Sequence, residues 1–311
     1  MVEPPAPEIA PYRYQFSADL SLASAVQYFD ALTFPRLSQE ARFNAIRQPL
    51  TAVLVSQGGQ NAGLILAEPQ AEGGGVMIRS MFVVPDQRRK GLARHLLHVL
   101  ARELSARCCP HLDLFYRTDW RACPVIEHIL QSEGWLPAKV QLYQYRCNLE
   151  DHLAALDAMQ PELPPGFSFF PWSELSEADR QDIRARQGGE NGYPPTLDPF
   201  QLPGYPVFNN SLGLRYAGRV VGWLVTHRGG PDVIQYTSLF TWPELRSVGR
   251  VKLAFAMIVT AIRQQVAQGI FHFIFQVEAH NRPMQYFVRQ YFAPYVKVNE
   301  LRVARKVLES P

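Results

Sequence analysis

The sequence predicts an α/β (α+β) protein of two consecutive domains with the same build, each a mixed, mostly antiparallel sheet flanked by helices. Three observations predict it. The chain has 311 residues, about twice the usual domain length. Strand-like and helix-like periodicities alternate along both halves. One strand–turn–helix stretch also occurs twice at a fixed spacing: Pro85, Arg88 and Gly91 are matched by Pro243, Arg246 and Gly249, and 243−85, 246−88 and 249−91 all give 158. Three matches in order, inside the same local pattern, mark a duplicated unit, and that period is a whole domain rather than a solenoid repeat.

Residues 1–11, MVEPPAPEIAP, are proline-rich and acidic and read as a disordered tail, without the basic start and apolar stretch of a secretory signal. The first domain is expected over 12–150. Residues 12–16 suit a strand. Leu22, Val26, Phe29 and Leu32 have helical spacing and predict a helix over 17–37, and 38–46 read as a second, short one. Strands follow over 50–55, 63–67 and 76–84, with glycine pairs between them that suit hairpins. Leu92, Leu96, Val99, Leu100 and Leu104 then put one apolar stripe on a helix. A strand over 111–116, a helix over 123–131 closed by Gly134, and a strand over 139–147 complete the half.

Residues 151–165 hold three prolines and read as a linker that begins with a helical turn. The second domain, 166–311, repeats the pattern: strand 167–170, a helix over 173–186 opening with Ser173 and Glu177, strands 212–216, 220–226 and 233–240, an apolar helix 251–266, strand 271–277, helix 282–290 and a strand region 295–307. Residues 187–211 carry five prolines and four glycines. An irregular run of that length is unusual in a compact domain; it reads as an acceptor-pocket wall, as a bridge between the two domains or as a plain surface excursion.

A hydrophobic content of 47% against 19% charged residues fits a soluble globular chain. The net charge of +3 is too small to argue for nucleic acid. No apolar run approaches the roughly 18–20 residues of a membrane span. The four cysteines form no CxxC pair, no histidine cluster has metal-ligand spacing, and adjacent Cys108 and Cys109 are poor disulfide partners. The expectation is a metal-free, cytoplasmic protein with reduced cysteines.

The repeated stretch carries the chemistry. In VVPDQRRKGLAR, residues 83–94, a strand end meets a helix start. A helix N-terminus presents unpaired amides and partial positive charge, so a turn placed there cradles phosphate oxygens. Gly91 and Ala93 permit close backbone approach, and Arg88, Arg89, Lys90 and Arg94 add fixed positive charge. Neither GxxxxGK[ST] nor GxGxxG is present, so the pattern suits a diphosphate ligand other than a nucleoside triphosphate or a dinucleotide.

These residues resemble the acetyl-CoA signature of the GNAT acetyltransferase superfamily, Arg/Gln-x-x-Gly-x-Gly/Ala, here Arg88-Arg89-Lys90-Gly91-Leu92-Ala93. The order of elements across 12–147 agrees with that fold, and the second half resembles a further GNAT-like domain. The resemblance implies a tandem-GNAT acyltransferase that moves an acetyl group from acetyl-CoA to a small-molecule or peptide amine. It implies pairing of the pantetheine arm with the backbone of Met81 and Val83, and a pyrophosphate held over Arg88, Arg89, Lys90, Gly91, Leu92, Ala93 and Arg94. No nucleic acid, membrane or metal partner is implied, and the chain is expected as a monomer or homodimer.

The sequence also departs from the family pattern. At the second copy of the motif, Arg246-Ser247-Val248-Gly249-Arg250-Val251, branched Val251 replaces Ala93, which predicts a degenerate phosphate site. The tyrosine that commonly serves the family as acid is replaced by Leu130 and Val288, and the asparagine that opens its helix by Cys123 in the first half, while Asn281 stands in the second. Tyr116 is the first candidate acid, then Cys123 and His128; the plain alternatives are a strand aromatic, a small buried residue and a surface residue. Asp86, Asp113 and Asp119 are weak candidate bases. A non-catalytic CoA-binding or protein-interaction module is the alternative function.

Overall fold

The computed structural model describes residues 11–20, 32–33, 49–70, 73–188, 192–200 and 210–309. Its elements in chain order are β1 (Tyr12–Leu20), β2 (Leu50–Gln57), β3 (Gln60–Pro69), β4 (Val76–Val83), α1 (Leu92–Ser105), β5 (His111–Arg117), α2 (Cys123–Ser132), β6 (Lys139–Asn148), α3 (Leu153–Ala158), β7 (Phe167–Pro171), α4 (Glu177–Ala185), β8 (Leu212–Tyr216), β9 (Arg219–Gly230), β10 (Val233–Thr241), α5 (Arg250–Ala267), β11 (His272–Glu278), α6 (Arg282–Tyr291) and β12 (Lys297–Val307). No described helix is long and apolar enough to cross a membrane.

The strand expectations hold across the described residues. The helix expected over 17–37 does not begin where it was placed: Ser17 and Leu20 belong to β1 and pair with Ala52 and Leu50 of β2. A ladder partner outweighs the weak local preference of a short polar stretch. Apart from Leu32 and Thr33, the rest of that helix, the helix over 38–46 and the tail over 1–10 lie outside the described residues.

Two compact units make up the chain. One is Met1–Gln141 with Leu301–Pro311, the other Leu142–Glu300. This differs from the linear division at 150–166, and the sheets give the reason. In the first unit β1, β2, β3 and β4 pair antiparallel in sequence, β5 joins β4 in parallel, and β12 closes the sheet antiparallel to β5. In the second, β7, β8, β9 and β10 pair antiparallel, β11 joins β10 in parallel, and β6 closes the sheet antiparallel to β11. Each sheet is thus closed by a strand from the opposite half of the sequence.

The closing strand of the first unit is fixed by charge. Arg305 of β12 lies opposite Asp113 of β5 and grips its carboxylate with two hydrogen bonds of 2.7 Å, while Gln70 Nε2 donates to the same group at 2.9 Å. Asp113 is almost fully buried, so the fork neutralises a charge that would otherwise be costly. Its carboxyl pKa is therefore lowered: burial works to raise it, and the bonds from Arg305 and Gln70 more than offset that.

Hydrophobic patterning places the cores. On α1, Leu92, Leu96, Leu97, Leu100, Ala101 and Leu104 are buried against Ile65, Ala67, Ile78, Leu112 and Leu114 of the sheet. Full burial of each such leucine contributes about 1.5–3 kcal/mol. Leu50, Ala52, Leu64, Leu66 and Leu32 form a second, smaller cluster. In the second unit Trp223, Trp242 and Tyr193 centre the core, and Tyr193 comes from the irregular run after α4. The stretch expected as a linker opens with a 3-10 turn and α3, whose end is held by the Arg263 guanidinium donating to the Leu156 and Met159 carbonyls. Expected to open at Ser173, α4 instead starts after Ser176. Ser176 Oγ accepts from the Asp179 amide and Asp179 returns a bond to the Ser176 amide. This capping box is available to Ser176 and not to Ser173.

Candidate active site

In the first unit β4 and β5 pair only over Val76–Leu112, Met77–Asp113 and Ile78–Leu114. Beyond Ile78 the two strands have no paired residues. At the same place the β3–β4 register steps from Leu66–Ser80 to Ala67–Ile78, so Arg79 is an extra residue in a β-bulge. The Val84 amide donates to the Ala62 carbonyl of β3. Strand backbone groups alternate sides, so those of Met81 and Val83 face the other edge, the one β5 has left. The Val83 carbonyl accepts from Arg88 Nε at 3.0 Å.

The loop after β4 is built to present amides. Pro85–Gln87 form one 3-10 turn, and the Arg88 amide returns to the Pro85 carbonyl. Arg89 then takes φ 64° and Gly91 φ 79°, where Gly91 caps α1. Left-handed backbone costs a residue with a Cβ about 1–2 kcal/mol, so Arg89 stores strain at the place where successive N–H groups form an anion nest. All four basic side chains expected to hold phosphate are exposed. Lys90 Nζ donates to Gln87 Oε1, and Arg94 pairs with Ser132 at the end of α2 and with Glu133 just after it. Exposed contacts of this kind are worth little and exchange readily for a stronger anion.

The second unit copies the geometry at the spacing of the sequence repeat. Pairing of β10 with β11 ends at Tyr236–Phe275, 158 residues after Ile78. The β9–β10 register steps from Tyr236–Thr226 to Ser238–Val225, leaving Thr237 as the bulge residue, 158 after Arg79. Gly249 caps α5 at φ 89°. What changes is chemistry: Ser247, Val248 and Val251 stand where the first unit has Arg89, Lys90 and Ala93. Val251 is exposed at the first turn of α5, a stiff branched side chain where the first unit has alanine.

Residues 19–124 match the family model "Acetyltransferase (GNAT) family". A search of curated proteins returns no match. Among solved structures, the chain is similar to a tandem GNAT protein from the clavulanic acid biosynthesis pathway, with 14% identity, TM-score 0.63, and 96% of this chain and 100% of that one covered. It is also similar to a GCN5-related N-acetyltransferase from Sphaerobacter thermophilus, with 16% identity, TM-score 0.57 and 96% of each chain covered. A GCN5-related glucosamine N-acetyltransferase region of a fungal multi-domain beta-N-acetylglucosaminidase aligns at 13% identity and TM-score 0.61, over 96% of this chain and 38% of that one. The protein carries the GNAT fold in tandem. At these identities the likeness to solved structures is one of fold.

Within the first GNAT unit, Tyr116 lies on β5 two residues past the last pair with β4. It is buried, and its hydroxyl donates to Glu127 of α2 at 3.2 Å. Arg302 of β12 donates to the same carboxylate at 2.7 Å. Burial first, then the Glu127 charge, pushes the Tyr116 hydroxyl pKa up. Cys123, buried at the start of α2, has its thiol pushed up by burial and by Glu127 as well. Both groups therefore hold their protons at neutral pH. His128 is exposed, as is Asp86. Asp113 is engaged by Arg305 and Asp119 by Arg117, so neither is placed to act as a base. Leu130 and Val288, at the positions of the family tyrosine, are buried core residues.

Sequence reasoning missed three participants. Glu127 and Arg302 are 175 positions apart and meet only because β12 returns to the first unit. Glu68 of β3 forms an ion pair with the bulge residue Arg79 at 3.6 Å, which puts a carboxylate beside the bulge although β4 has none. No local pattern signals a bulge or a strand that returns from 175 positions away, so none of the three had a sequence marker.

Proposed function

We propose that the protein is an acetyl-CoA-dependent N-acetyltransferase whose first GNAT unit holds acetyl-CoA and serves a small-molecule or peptide amine. The observation that carries this reading is the strained loop at residues 88–91, opening a helix beside a strand whose pairing with β5 ends at Ile78. A diphosphate fits that nest, and an extended arm fits the edge that β5 has left as an added strand. Arg88 must then release the Val83 carbonyl. Acetyl-CoA supplies the acyl group and a thiolate leaving group. In this reading Glu68, once loosened from Arg79, takes the proton from the amine directly or through water, and Tyr116, with Cys123 as the second choice, protonates the thiolate.

The second reading, a CoA-binding module without turnover, is favoured by Leu130 and Val288 at the family's acid positions. Calorimetric titration with acetyl-CoA, followed by turnover against a panel of amines, tests both. The expected result is one site per chain, abolished by Gly91→Val, together with measurable transfer. Binding without transfer to any amine supports the module. No binding overturns both readings.

A further inference from the structure

The second unit keeps the cleft of the first and loses its anion grip. Where β10 and β11 part, beside α6, there is a cavity of about 410 Å³. Its walls include the rings of Tyr236, Phe273, Phe275, Phe287 and Phe292 beside aliphatic and polar side chains. Among the described residues no lysine, arginine or histidine lines it, and the one charged lining residue is Glu278, 40% exposed at the end of β11, whose carboxylate lies 3.1 Å from Nε2 of the exposed His280. Such a lining opposes an anion and favours an apolar body that carries positive charge. An enclosed apolar site of about 150 Å³ already accommodates benzene, so a single-ring or bicyclic molecule fits with room to spare.

Two buried polar groups on residues that touch or adjoin the lining residues have bonds still to make. Thr237, the bulge residue, lines the cavity, and its hydroxyl lies 2.8 Å from Nδ1 of His227. The imidazole is buried, and its Nε2 has no partner among the described residues. Tyr193, packed edge-on against Trp223, also has a buried hydroxyl without a partner among the described residues. The irregular run that supplies Tyr193 also supplies Pro194, Thr196 and Leu197 to the cavity, and Ser238 Oγ of β10 ties it down by donating to the Leu197 carbonyl. Pro194, Thr196 and Leu197 of that run are therefore part of the wall.

We propose that the cavity of the second unit binds a small aromatic or alicyclic primary amine, its ring among the aromatic walls and its ammonium directed to Glu278. The proposal goes beyond the acetyl-transfer reading, because nothing in it requires acetyl-CoA. The full chain is titrated calorimetrically at pH 7 with phenethylamine, tryptamine and cyclohexylmethylamine, and with 3-phenylpropionate as the anionic counterpart. At least one amine binds at one per chain, at least 10-fold tighter than the carboxylate, and saturating CoA leaves the affinity unchanged. Glu278→Gln, at a half-exposed position that folding tolerates, weakens the amine about 10-fold and leaves acetyl-CoA binding intact. Absence of binding by all three amines overturns the proposal, and so does equal affinity for the carboxylate, displacement by CoA, or indifference to Glu278→Gln. Loss of acetyl-CoA binding with the amine site intact counts against the function proposed above and leaves this inference standing.

Discussion

A glycine at φ 79° and its repeat partner at φ 89° put the same backbone demand at two places with different surroundings. A methyl group built on Gly91 would meet His95 no closer than 3.6 Å, and one on Gly249 would meet Lys252 no closer than 3.7 Å. Alanine is therefore resisted by dihedral strain alone, about 1 kcal/mol at either site. Urea unfolding should read nearly equal losses for Gly91→Ala and Gly249→Ala, while acetyl-CoA affinity falls at least 10-fold for the first and is unchanged for the second. Equal effects on affinity would mean that both loops bind. This part of the site was legible in the sequence, because a nest is made by seven consecutive residues. The cluster around Tyr116 was legible only in part: the tyrosine could be named, but the carboxylate it faces and the arginine from β12 could not. Tyr116→Phe tests its role. As an acid it should lower kcat by 10²-fold or more with KM nearly unchanged, whereas a packing role would cost about 1 kcal/mol of stability and leave kcat alone. Because its pKa is raised, its own ionisation should not limit activity below pH 10 in the wild-type protein.

At the scale of elements, periodicity located strands and helices well, and the misplacements fell where a partner distant in sequence decides. β1 ran into the region expected as helix because β2 was there to pair with it. The start of α4 was displaced by three residues because a reciprocal cap outweighs a nearer serine. That cap has a pH consequence. Asp179 accepts two bonds from Arg215, at 3.0 and 2.7 Å, as well as those from Ser176. The Arg215 bonds are the largest cause of a carboxyl pKa lowered from 3.8 to about 2. A folded-state pKa below the unfolded one stabilises the fold above the unfolded value and loses that stabilisation as pH falls through the folded one. The contribution, on the order of 2 kcal/mol, should be complete above about pH 5 and gone near pH 1–2. Asp179→Asn should remove it at neutral pH and flatten the acid limb of stability between pH 5 and 2, read by denaturant unfolding at fixed pH steps. An unchanged acid limb would show that the Arg215 pair adds nothing.

For the whole molecule, the repeat was visible and the exchange of closing strands was not. β6 and β12 are themselves repeat partners, since Lys297 follows Lys139 by 158 residues, so periodicity assigns each to its own half. Charge decides otherwise. Arg305 of β12 sits opposite buried Asp113, and the residue 158 positions before it is Cys147, a buried thiol with its pKa pushed up to about 12. Cys147 cannot neutralise a carboxylate, but it suits the apolar core around Phe273, which it faces across β11. Similarly, Gln144 stands 158 positions before Arg302 and could not balance Glu127. Residues 1–150 expressed alone would have to close their sheet with β6, leaving Asp113 buried without a guanidinium. Removing one partner of a buried pair costs about 3–5 kcal/mol, a large share of the roughly 5–15 kcal/mol that holds a domain together. The isolated piece should therefore unfold at low urea and bind acetyl-CoA poorly. Cys147→Arg in the same piece, which restores a cation to the closing strand, should recover part of both. A piece that matches the full chain in stability and affinity without that substitution would show that either strand can close the sheet. The Arg305–Asp113 fork would then not select between the two strands.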